Sequence, residues 1–115
     1  REDTRFIKHF KNYISEQKAY TNKKELAYFG MPYFNQQKNT LEFNLDKFED
    51  YLHRQKINLE RVDLVIKVQR VLKAKKMHGK FDNKSCVSWK IKDQKVEQED
   101  LIIDGEFKEI TDETA

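Results

Sequence analysis

Residues 71–91 read VLKAKKMHGKFDNKSCVSWKI, and where this stretch is divided decides the fold. An apolar run ends in lysines, and Gly79 stands where a helix C-cap is wanted. Two short strand-like pieces follow, Lys80-Phe81 and 86–91, joined by Asp82, Asn83, Lys84 and Ser85. Val87, Trp89 and Ile91 alternate as the inward side of a half-buried strand. The division predicted here is a helix running to about residue 77 and then a β-hairpin.

Upstream of it, LERVDLVIKVQRVLKAKK (59–76) predicts one helix over 59–77. Its apolar members (Leu59, Val62, Leu64, Val65, Ile66, Val68, Val71 and Leu72) take up most of the helical wheel. Asn58 is its expected N-cap, Asp63 is placed to pair with Lys67, and the helix is expected to be mostly buried, with a narrow polar ribbon of Glu60, Asp63, Lys67, Arg70 and Ala74. Lys56, Ile57 and Asn58 form the turn before it. Leu45, Phe48, Tyr51 and Leu52 make one face of a preceding helix, 45–55, capped by Asn44. TLEFNL (40–45) alternates Leu41, Phe43 and Leu45 against Glu42 and Asn44 in the manner of a short strand, and 33–40 reads as a loop.

The N-terminal stretch TRFIKHFKNYISEQKAY (4–20) carries Phe6, Ile7, Phe10, Tyr13, Ile14 and Tyr20 at helical spacing. Asn22 with Glu25 has capping-box spacing and starts a second, short helix, which Gly30-Met31-Pro32 stops. The aromatic group Tyr28, Phe29, Tyr33 and Phe34 reads as core or as a partner-binding patch. Together these elements predict a mainly helical α+β fold. One domain spans 1–95, with N-terminal helices over 1–30 and the two-helix and hairpin unit over 41–91. Residues 96–115 form an acidic tail or a second small hairpin around Asp104-Gly105.

Charge is distributed unevenly. Residues 1–52 hold nine Lys/Arg and eight Asp/Glu, 53–95 hold thirteen and four, and 96–115 hold one and eight. A basic body therefore precedes an acidic tail. No apolar run approaches a membrane span of roughly 20 residues. The single cysteine, Cys86, excludes an internal disulfide and favours a reducing, intracellular setting, with an inert thiol. His9, His53 and His78 have no metal-type spacing, and three glycines in 115 residues leave no phosphate-cradling loop. The face Asp46, Glu49, Asp50 and His53 reads as solvated. No enzyme, cofactor or metal site is expected.

Two helices joined by a tight turn and followed by a two-stranded hairpin, here 45–55, 56–58, 59–77 and 80–91, form an order that resembles the winged-helix family. The resemblance implies a second helix in or beside the DNA major groove and a hairpin reaching an adjacent groove or the backbone. Similar domains accompany replicative helicases and primases in phage and mobile-element proteins, which implies a cytoplasmic or nucleoid-associated module of a larger replication, recombination or regulatory protein. Independently of the family, cations on a rigid edge displace condensed counterions from nucleic acid. The candidate DNA-binding residues are Lys67, Arg70, Lys73, Lys75, Lys76, His78, Lys80, Lys84, Lys90 and Lys92, with His78 either touching phosphate or capping the helix. Arg70 is the only arginine among them, and a lysine surface holds backbone more than it reads bases. Duplex DNA is the expected partner. The competing readings are a protein-interaction module using 28–34 and 101–110, and single-strand or RNA binding through Trp89.

Overall fold

Asparagine and glycine punctuation sets the first half of the fold. The computed structural model describes residues 2–17 and 22–92. In order these form helices α1 (Glu2–Gln17) and α2 (Lys23–Phe29), strands β1 (Tyr33–Asn35) and β2 (Thr40–Phe43), helices α3 (Leu45–Arg54) and α4 (Arg61–Arg70), and strands β3 (Lys75–Phe81) and β4 (Lys84–Lys92). Asn22 Oδ1 accepts the amide of Lys24 at 2.9 Å and Asn44 Oδ1 that of Lys47 at 3.1 Å, so each asparagine satisfies a first-turn donor that its helix leaves unpaired. Gly30 ends α2 at φ 69°, and its amide and that of Met31 donate to Leu26 and Glu25. This closure needs a left-handed residue, which glycine adopts without strain.

The strands form one antiparallel sheet in the order β1-β2-β4-β3. Successive side chains alternate between its faces, and the register puts Phe34 opposite Leu41, Leu41 opposite Ile91 and Phe43 opposite Trp89. These five side chains share the core with Phe6, Phe10 and Ile14 of α1, Phe48 and Leu52 of α3, and Leu64 and Val68 of α4. Phe10, Phe43 and Phe48 meet edge to face with centroids 4.8 to 6.2 Å apart, the arrangement aromatic quadrupoles favour. A few large rings thereby build a core in a chain with 37% hydrophobic residues. α2 lies against the opposite face, near β1 and β4, with Leu26 and Ala27 buried. Both sides of β2 are consequently covered, and all four of its residues are buried.

Covering the second face buries Glu42, whose carboxylate accepts from Ser88 Oγ at 2.8 Å and lies 3.9 Å from Lys90 Nζ. At the far end of the helical layer, Arg61 at the start of α4 donates to Glu49 at 2.6 Å and pairs with Asp46 at 2.9 Å, tying together the first turns of α3 and α4. The acidic face expected to be solvated thus serves in part as a clamp. Burial alone would lower the pKa of Arg61, but its hydrogen bonds to Glu49 and Asp46 outweigh that and raise it.

The α+β class holds, while the division of 71–91 is corrected. The helix expected over 59–77 ends at Arg70, and Glu60, not Asn58, occupies its N-cap without a side-chain bond. Residues 75–81 are strand β3, so Gly79 lies within a strand opposite Cys86 and His78 lies opposite Val87, where it caps no helix. The turn expected over 82–85 is the two-residue loop Asp82-Asn83. Both of these residues have positive φ, 52° and 65°, which suits the right-handed twist of the hairpin. The loop read over 33–40 contains β1. α4 is less buried than expected: of its apolar residues, Val62 is 60% exposed and Ile66 38%. Lys67 lies 3.8 to 3.9 Å from Glu2 and Asp3 of α1 in place of the expected pairing with Asp63. Tyr20 and the expected tail hairpin at 96–115 lie outside the described residues.

Candidate nucleic-acid interface

The β3–β4 hairpin extends beyond the part of the sheet that β2 covers. β2 pairs only with residues 89–92 of β4, whereas β3 and β4 stay paired out to Phe81 and Lys84. Strand alternation and register then sort the cations by face. Lys76, His78 and Lys80 are opposite Trp89, Val87 and Ser85, on the side of the sheet that carries α4. Lys75, Lys84 and Lys90 belong to the other side, opposite Lys90, Phe81 and Lys75, and Lys92, opposite Thr40, continues that side into β2. All of these except the half-buried Lys90 are exposed.

Of the ten candidate residues, seven therefore belong to one finger and three do not. Arg70 ends α4, and Lys73 occupies the connection to β3 at φ 59°, both exposed. Lys67 faces α1, where its ammonium lies 5.8 Å from the ring of Phe6 and near two carboxylates. It is separated from the hairpin group.

Residues 71–92 hold seven lysines and a single acid, Asp82. Asp82 accepts the hydroxyl of Tyr28 at 3.2 Å. Tyr28 also meets Phe81 edge to face at 6.0 Å, and Lys84 Nζ stands 6.0 Å from its ring centroid. A side chain 54 residues away from the turn thus braces the fingertip on the α2 side. Sequence reasoning offered Tyr28 only as core or as patch. Burial, followed by the charge and hydrogen bond of Asp82, raises the pKa of the Tyr28 phenol, so it stays protonated as a donor at neutral pH.

Lys75 and Lys90 stand directly opposite one another. Like charges at facing positions weaken a strand pair, and among the described residues only Lys90 of the two has an acidic neighbour, Glu42. On the α4 side, Val65, Val87, Lys76 and Arg61 line a notch between helix and hairpin whose floor includes Trp89. Trp89 is 5% exposed and belongs to the core, which leaves no ring face for a base to stack on. Cys86 is half-buried; burial, with Glu42 adding to it and Lys23 and Lys84 opposing, pushes its thiol pKa up and disfavours the reactive thiolate. Among the described residues no three His, Cys, Asp or Glu side chains come together to hold a metal ion, and no helix is long and apolar enough to cross a membrane.

Comparisons of the chain with known protein families, with curated proteins and with solved structures find no match in any of the three.

Proposed function

We propose that this chain is a non-catalytic nucleic-acid-binding module of winged-helix type that holds duplex DNA through lysine-phosphate contacts made by the β3–β4 hairpin. The observation that carries the reading is the charge of that finger: six lysines against one acid over 75–92, with the acid already engaged by Tyr28. A solvated strand edge needs a lysine or two to discourage aggregation. It does not need lysines on both faces, nor a facing Lys75–Lys90 pair that works against the sheet. A polyanion lying along the finger converts that repulsion into attraction.

The order α3, α4, β3, β4, with β2 completing the sheet beside β4, supports the winged-helix comparison. The helix that the family places in the groove is the weaker part of it here. α4 offers solvent Val62, Asp63 and Ile66 in its first turns, so the hairpin carries the binding. Lysine ammonium groups hold phosphate without reading bases, and the expected specificity is low.

The test is titration of a labelled duplex and a single strand of equal length at several salt concentrations, with wild type and a Lys76→Gln, Lys80→Gln, Lys84→Gln variant. Wild type should prefer duplex. The variant should bind more weakly, and its log-log salt slope should be shallower by about 0.9 for each phosphate it no longer neutralises, about 3 in all. An unchanged slope in a folded variant would refute the reading. A second reading, a protein-interaction module, is favoured by the exposed Phe29 and Val62, 61% and 60% accessible. It predicts no salt-dependent nucleic-acid binding and a loss of partner capture in Val62→Ser.

A further inference from the structure

α4 buries one side against the core and shows the other to solvent. At about 100° per residue, Ile66 stands opposite the midpoint of Leu64 and Val68, both of which are in the core. Val62, one turn before it, is exposed as well, and the two form an apolar stripe down the outer side of the helix. Ile66 also borders an open groove of about 530 Å³ toward α1, which Phe6, Ile57 and Leu59 line with it. The charges of α4 fall into two kinds. Arg61 is held by Asp46 and Glu49, and Lys67 lies beside Glu2 and Asp3. Asp63 and Arg70 make no ion pair among the described residues. They are about two turns apart and both within about 60° of Ile66 on the same flank of the stripe.

An acid near the start of a helix and a base at its end make a self-complementary pattern. We propose that the outer face of α4, with Val62, Asp63, Ile66 and Arg70, is a twofold interface with a second copy of this chain. The two helices lie antiparallel, with Ile66 against Ile66 at the axis. At a rise of about 1.5 Å per residue, Asp63 stands about 4.5 Å before the axis and Arg70 about 6 Å after it. Each Asp63 is then level with the partner's Arg70 to about 1.5 Å and on the same flank, so the ion pair forms twice. On the other flank Val62 meets the stem of the partner's Gln69. A parallel pair would instead set Asp63 against Asp63 and Arg70 against Arg70, which like-charge repulsion disfavours. The interface stands on α4 alone, whether or not the hairpin holds nucleic acid. It is small, below the roughly 1,200 Å² of a stable complex, and the dimer forms with a Kd of about 10–100 µM.

The experiment follows the full chain by sedimentation equilibrium at low salt from about 5 µM to about 500 µM, with thermal melts to check that each variant folds. Wild type should pass from monomer to dimer across that range. Asp63→Arg alone and Arg70→Asp alone each set like charges at both contacts, and each should weaken association about 10-fold or more. Mixed in equal amounts, the two variants should associate about as strongly as wild type, because each chain supplies the charge that the other lacks. A wild type that stays monomeric to the top of the range overturns the proposal. A dimer that the single reversals leave intact overturns it too, as does a mixture that fails to restore association, since a change of net charge alone would not then be rescued. If a reversal unfolds the chain, Ile66→Ser decides in its place: it removes the apolar contact at the axis without adding charge, and undiminished association of that variant overturns the proposal.

Discussion

Replacing Tyr13 with phenylalanine should make the protein more stable. The hydroxyl of Tyr13 is buried and has no hydrogen-bond partner among the described residues. The ring itself is well used: it packs against Phe48 at 5.2 Å, Tyr51 at 5.5 Å and Phe10 at 6.2 Å. Burial raises the phenol pKa, with Arg54 opposing and Asp50 adding to the shift, so the group is neutral at every working pH. A buried hydroxyl left without a partner costs about 1–3 kcal/mol in desolvation. Tyr13→Phe removes that cost and keeps every ring contact. A gain of about 1 kcal/mol corresponds to a rise in Tm of about 4–8 °C for a domain of this size. Urea unfolding followed by far-ultraviolet circular dichroism should give a higher midpoint at an unchanged slope. If the variant were less stable than wild type by about 0.5 kcal/mol or more, the hydroxyl would have to be bonded and the reasoning would fail.

Two glycines should answer the same substitution in opposite ways. Gly30→Ala forces a Cβ onto φ 69° and within 2.9 Å of Lys47 Cγ, and should cost about 1 kcal/mol; Gly79→Ala meets nothing within 4 Å and should be neutral or stabilising by up to about 1 kcal/mol, both read from thermal melts. Burial, followed by Arg5 and Lys8, lowers the pKa of His9 below its ordinary 6.5. The unfolded chain therefore binds this proton more readily than the fold does, and stability should fall as pH drops through 6.5 to the lowered folded value, then level off. His9→Gln should flatten that part of a stability profile, and an unchanged profile would show that another group titrates there.

The first three helices were legible because their signals are local. Asn22, Asn44 and Gly30 mark ends by their own backbone chemistry, and Phe6, Phe10, Tyr13 and Ile14 repeat at the helical period. β3 was not legible. It stands out from the fold with both faces wet, so Lys75, Lys76, His78 and Lys80 give no alternation, and Lys-Ala-Lys-Lys continues a helical pattern without a breaker. What turns the chain there is Lys73 in the left-handed region at φ 59°, a place where glycine would have been the cue. β1 was missed because three residues are too few for a period and only pairing with β2 defines them. The candidate lysines could be named from the sequence, but their grouping could not. A one-residue change of register exchanges the two faces, so the separation of Lys76 and Lys80 from Lys75 and Lys84 exists only in the paired hairpin. Lys67 sits on α4 as expected, but α4 turns it toward α1 and away from the hairpin. Its α1 partners come from the opposite end of the chain.

The phenol of Tyr28, set against Phe81 and Asp82, makes the pitch of the finger a property of the amino-terminal half of the molecule. The root of the lever is fixed by Trp89 and Ile91 in the core, while its tip leans on a short helix that contributes nothing to the main cluster. Whatever displaces that helix would swing the whole row of ammonium groups without altering any of them. On the proposed function, the angle at which the finger would meet a polyanion is set from a site that the polyanion would not touch.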